Sequence, residues 1–231
     1  MELAPARFIL TASPALGGWS VAPLARALAA RDKEALIVDL HPRRADGARA
    51  YGWLGWRIAQ VATEGDVLVM HSGAGAVAAA AIEAASGRFS ALVFLDALLP
   101  HPGQSWLQTC PSGLASRLRM GASDEMLPPW IDWWGSSAAA RLWPNPELRD
   151  QLRQTLPRLP VNFAEGVAPP SPPLPAELCA YIQLSSDYAA ERAAAQALGW
   201  RTSSLDLDHL AVLTAPDAVA AAILEAADLE G

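Results

Sequence analysis

Short apolar runs alternate with amphipathic stretches along the first hundred residues. The runs are "RFILTA" (7–12), "EALIVDL" (34–40), "DVLVMH" (66–71) and "ALVFLD" (91–96). They show little alternation of apolar and polar positions, which predicts strands buried on both faces. Between them, "SVAPLARALAARD" (20–32) gathers Val21, Leu24, Ala25 and Leu28 on one side of a helix, and 48–63 and 73–86 predict a second and a third helix. Strand and helix alternating in this way imply a parallel sheet with helices on both faces.

After Pro100 the pattern changes. Residues 100–178 hold most of the prolines and five of the nine tryptophans (Trp106, Trp130, Trp133, Trp134, Trp143). "GLASRLRM" and "NPELRDQLRQTL" read as helices, and "VAPPSPPLPAEL" (167–178) is a proline-rich connector that resists regular structure. The rhythm then resumes with strands at 179–184 and 201–207 and helices at 188–199 and 215–229. The expected layout is an α/β core from 1–99 and 179–231, with a mainly helical cap, 100–178, inserted after the fourth strand. No internal repeat is visible.

Composition narrows the function classes. The chain has 231 residues, 52% of them hydrophobic and 18% charged, which suits a packed domain and not a disordered one. A net charge of −7 argues against nucleic acid and anionic membrane surfaces as partners. Lys33 is the only lysine and alanine is abundant, a composition suggestive of a GC-rich bacterial genome. The first residues lack a basic segment followed by a long apolar one, and no apolar window reaches about 18 residues. Cys110 and Cys179 form no CxxC pair and have no histidine at zinc spacing, so both are expected as buried reduced thiols. The expectation is a cytoplasmic protein without metal or cofactor that acts on a small hydrophobic molecule. A homodimer stays open.

The chemistry concentrates where "DVLVMH" meets "SGAGAVAAAAI". A serine at the carboxyl end of a central parallel strand stands where open α/β sheets place ligands. Gly73, Ala74 and Gly75 are small enough for an abrupt turn into a helix. The backbone N–H of Gly73, at a helix N-terminus, could hold an oxyanion. Against the pattern Gly-x-Ser-x-Gly, the chain has Met70 and Ala74 where glycines would stand. The motif alone leaves Ser72 either a nucleophile or a structural turn.

Four histidines could supply a base. His71 adjoins Ser72 but should point away from it and shape its surroundings. His41 and His101 follow the second and fourth strands. His209, between the last strand and the last helix, can swing over the sheet edge and is the leading candidate. The orienting acid should follow a strand between serine and histidine. Asp187, in "QLSSDY", and Asp96, in "FLDALLP", both qualify; Asp208 adjoins His209 and reads as a loop residue.

In this order the parts resemble the α/β-hydrolase superfamily, and within it the small bacterial esterase and hydroxynitrile-lyase-like branch. The blocks that carry the resemblance are "VLVMHSGAGAVAAAAI", "ALVFLDALLPHPGQSW" and "DHLAVLTAPDAVAAAI". It covers about two-thirds of the chain and omits the cap. It implies Ser72 as nucleophile, His209 as general base and Asp187 as the commoner acid, with Asp96 at an alternative acid position. One oxyanion donor would be Gly73. The other would come from Ala12 or Ser13, where "LTASPALGGW" lacks the family's usual His-Gly. The resemblance implies an esterase for a hydrophobic or aromatic ester, thioester or lactone, with Trp106, Trp130, Trp133 and Trp134 bordering the pocket. Two rivals remain: a lyase or cyclase that uses Ser72 and His209 only for acid–base work, and a ligand-binding protein without turnover.

Overall fold

A computed structural model describes residues 7–44, 46–111, 113–134 and 146–228. Trp143 lies outside the described residues. Six strands form one sheet: β1 (Phe8–Thr11), β2 (Ala35–Val38), β3 (Asp66–His71), β4 (Phe89–Leu95), β5 (Cys179–Gln183) and β6 (Arg201–Ser204). Their order is β2-β1-β3-β4-β5-β6, and every pairing is parallel. The chain winds outward from β1 to one side and from β3 to the other. The winding reverses between β1 and β3, the position where doubly wound sheets open a ligand crevice.

Burial on both faces explains the continuous apolar runs of β1, β3 and β4. β2 is an edge strand and only partly buried, with Ile37 40% exposed, so its apolar run does not mark a strand buried on both faces. Ile9, Leu68, Met70, Leu92, Phe94 and Tyr181 point into one core, whereas Phe8, Leu10, Val67, Val69, Val93 and Ile182 point into the other. The first face is covered by α2 (Ala50–Val61) and α3 (Ala78–Ala85), the second by α1 (Ala22–Ala29) and the last helix, α10 (Pro216–Ala226). Proline in the first turn of α1 and of α10 sits where no intrahelical N–H bond is lost.

Between β4 and β5 the described residues form short helices: α4 (Trp106–Thr109), α5 (Leu114–Met120), α6 (Pro146–Thr155) and α7 (Val161–Glu165). Ser105 and Gln108 close a reciprocal cap at the start of α4. Tryptophans provide much of the packing here; the Trp106 and Trp133 rings lie 5.0 Å apart. After β5 come α8 (Ala189–Ala197) and, past β6, the one-turn α9 (Ala211–Thr214). Cys179 is buried and Cys110 half-buried, both as free thiols that burial shifts to higher pKa, to about 12 and about 11. Among the described residues, no helix is long and apolar enough to cross a membrane.

Candidate active site

The strand-to-helix corner after β3 is sharper than an ordinary helix start. Ser72 has φ 61°, a left-handed conformation that L-residues adopt at a cost, and a 3-10 turn runs from it to Val77. The neighbouring strand end packs directly against this turn. Leu98 N–H donates to the Ser72 carbonyl at 3.1 Å, and a Cβ placed on Gly75 would stand 2.1 Å from the Leu98 carbonyl oxygen. The indispensable glycine is therefore three residues after the serine, outside the positions that the familiar motif inspects. Met70 is fully buried in the core beneath α2 and α3, so its side chain has room on that face.

The loop before α9 brings His209 to this corner. Its Nε2 lies 3.0 Å from Ser72 Oγ, and its Nδ1 lies 3.2 Å from Asp96 Oδ2. With Nδ1–H donating to the carboxylate, Nε2 is free to accept the serine proton. All three side chains are buried, Ser72 being 4% exposed and Asp96 not at all.

Asp96, and not Asp187, is the aspartate that His209 bonds. Asp96 follows β4 with φ 40°. Its carboxylate accepts the Leu184 and Ser185 backbone N–H groups and the Ser185 hydroxyl, at 2.5 to 3.1 Å. Burial alone would raise its pKa, but the bonds from His209, Ser185 and Leu184 outweigh that and hold it below the usual carboxylate value. Asp187 lies two residues further on, exposed in the single 3-10 turn Ser186–Tyr188. The chain at that point is already leaving the sheet edge. Asp208 bonds the Leu210 N–H at 2.8 Å and so shapes the histidine loop. His101 is engaged by the Tyr51 hydroxyl at 3.0 Å.

Two residues at the site had no clear signal in the sequence. The Tyr188 ring is parallel to that of His209 at 4.9 Å, and its phenol interacts with Ser72; burial raises its pKa, so it stays protonated. Tyr181, from the interior of β5, donates to the Ala97 carbonyl at 3.0 Å and accepts the Ala97 N–H at 3.1 Å, bracing the corner beside Asp96. Both tyrosines stand in stretches read as strand and helix, where an aromatic residue is most simply core.

Of the four tryptophans expected at a pocket, Trp130 stacks near His209 at 6.1 Å. Trp106 and Trp133 pair with each other, and Trp134, 38% exposed, borders Trp130 and Trp133. Gly73 is buried with its Cα facing the Ser13 hydroxyl, since a Cβ there would stand 2.8 Å from Ser13 Oγ. Ala12 and Ser13, both buried, thus border the serine corner from the loop after β1. Among the described residues, no group of three or more histidine, cysteine or carboxylate side chains could hold a metal ion.

No family model matches the sequence, and no curated protein matches it. Solved structures do. An extracellular α/β-hydrolase from a Paenibacillus species, described as homologous to tobacco salicylic acid binding protein 2, superposes with TM-score 0.74 at 16% identity, over 96% of this chain and 99% of that one. Polyneuridine aldehyde esterase gives TM-score 0.71 at 18% identity, over 96% and 99%. Tomato methylketone synthase I, solved with 2-tridecanone, gives 0.69 at 15% identity, over 98% and 99%. Near-complete coverage at such low identity establishes the α/β-hydrolase fold for this chain.

Proposed function

We propose that this α/β-hydrolase-fold chain is a serine hydrolase, an esterase for a hydrophobic or aromatic ester, thioester or lactone. The observation that carries the reading is the unbroken chain of hydrogen bonds from Ser72 through His209 to Asp96. In the proposed mechanism Ser72 Oγ attacks the substrate carbonyl while His209 Nε2 takes its proton. Asp96 keeps Nδ1 protonated and stabilises the imidazolium. The oxyanion is held by the Gly73 N–H together with that of Ala12 or Ser13. Each such donor contributes about 3–4 kcal/mol to the transition state. His209 then returns the proton to the leaving group, and water releases the acyl group by the reverse path.

In this reading, residues 1–99 and 179–231 form the catalytic body and 100–178 the cap. The aromatic side chains around His209 favour a substrate with an apolar acyl or alcohol part. A large π-surface binds such groups without leaving polar atoms unpaired.

The test is intact-protein mass after exposure to a fluorophosphonate. A single adduct on the wild type that disappears in Ser72→Ala is the expected result. An unlabelled, folded wild type overturns the reading. It would favour acid–base chemistry by Ser72 and His209 without a covalent intermediate, which product analysis on an ester panel would reveal as carbon–carbon cleavage or cyclisation in place of hydrolysis.

A further inference from the structure

His71 precedes the serine and ends β3, 1% exposed. Its ring lies 4.8 Å from that of His209, inclined by 31°. Its Nε2 is 2.9 Å from the backbone carbonyl oxygen of His209. A carbonyl only accepts, so Nε2 carries the hydrogen and Nδ1 is a bare lone pair. That Nδ1 is buried and has no partner among the described residues. The ring is thus held as one neutral tautomer, making one directed bond.

That bond reaches the residue at the centre of the relay, between Ser72 and Asp96. The ring of His209 is fixed by Ser72 and Asp96, but its backbone sits in a loop between β6 and α9. We infer that His71 is a positioning residue for His209: its Nε2–H anchors the His209 carbonyl, so that both ring nitrogens of His209 stay in register with Ser72 and Asp96. The inference rests on the serine-hydrolase reading. The bond spans 138 positions of sequence and joins the nucleophile's own strand to the base's loop. A shift of the base by about 1 Å from such a loss costs on the order of 10²-fold in rate.

The neutrality of His71 belongs to the same device. The titratable groups facing it are His209 and Asp96, and Tyr188 lies against His209 from the start of α8. Burial first, and then the charge of His209, push the His71 pKa down to about 3. A second cation beside His209 would oppose the imidazolium that catalysis requires, and a protonated Nδ1 would be an unpaired buried donor.

The experiment compares wild type, His71→Gln and His71→Leu in fluorophosphonate labelling and in steady-state turnover of an activated ester such as a p-nitrophenyl ester, each across pH. Nitrogen-15 NMR of the imidazoles accompanies it. Glutamine can place an amide N–H near the position of Nε2; leucine cannot. The expected result is a 10- to 100-fold lower kcat in His71→Leu with KM within threefold, and kcat within about fivefold of wild type in His71→Gln. The wild-type acid limb should fall with the uptake of one proton, while the spectrum shows His71 as the neutral Nε2–H tautomer down to pH 5.

Equal labelling and kcat in a folded His71→Leu overturn the inference. So does a wild-type His71 found as the Nδ1–H tautomer or as imidazolium at pH 6, a result that decides the matter even where the leucine variant fails to fold. An unlabelled wild type overturns instead the hydrolase reading on which the inference stands.

Discussion

The ends of β4 and β5 are neighbours on the same edge of the sheet, and each is followed by an aspartate. Both sit after apolar strands, and both precede His209 in the chain. Only one bonds His209. At the β4 end Asp96 turns inward at φ 40° and is met by the backbone N–H groups of Leu184 and Ser185, the Ser185 hydroxyl and His209. At the β5 end the chain spends Leu184 and Ser185 as donors to that carboxylate, and Asp187 follows in an exposed turn. The second strand end serves as scaffolding for the first. An acid is placed by the donors that converge on it, and these come from a different segment.

The sharpest way to break this comparison is to exchange the acids' roles. Asp96→Asn should lower kcat of ester hydrolysis by about 10³–10⁴-fold, because an amide cannot hold His209 in the required tautomer or balance its charge. Asp187→Asn should lose as much if the comparison is reversed, so measuring kcat/KM for both variants with one activated ester decides it.

Gly75→Ala tests how tightly the serine corner is wedged against the Asp96 strand. With a Cβ at 2.1 Å from the Leu98 carbonyl, the backbone must move, and we expect a loss of about 2–4 kcal/mol in the denaturant midpoint analysis. An unchanged midpoint would mean that the two corners are free to separate.

Acid should weaken this cluster. His71 has a folded pKa of about 3 against an unfolded value of 6.5, so between those limits the unfolded chain binds the extra proton. The stabilisation is whole above pH 6.5 and declines as pH falls, by up to about 1.4 kcal/mol per pH unit. Asp96, with its lowered pKa, adds a further loss as pH drops below the ordinary carboxylate range. Urea unfolding at pH 7, 6, 5 and 4 should show the slope, and His71→Gln should flatten it.

Smaller effects follow at β5. Tyr181→Phe removes the hydroxyl that satisfies both backbone groups of Ala97, and should cost about 1–3 kcal/mol of stability with a modest fall in kcat. Asp187→Asn closes the series with kcat/KM and stability within about twofold and 0.5 kcal/mol of wild type, as for an exposed turn residue.

The central strands were legible in the sequence because strands buried on both faces need unbroken apolar runs, whereas the edge strands β2 and β6 are only partly covered and were placed by the strand–helix rhythm. All six runs read as strands lie where β1–β6 form, β3 with identical bounds. That Ser72 and His209 could meet was legible too, through their order relative to strands and the small residues that permit the elbow, and their side chains lie 3.0 Å apart. Less was readable between β4 and β5, where tryptophans pack among themselves and no periodic pattern reveals which ring reaches His209.

The sequence by itself determined the alternation of strand and helix, hence a parallel sheet with helices on both faces, and the strand end that carries the serine, since periodicity and chain order are local properties; the strand order came only from the structure. Tertiary structure alone decided that Asp96 faces His209, that Gly75 is the glycine the elbow requires, that Tyr188 and Tyr181 lie beside Ser72, His209 and Asp96, and that His71 bonds the His209 carbonyl. Each of these follows from contacts between segments distant in the chain, where hydrogen bonds and close approach depend on the register of neighbouring strands and on loops folding back across their ends.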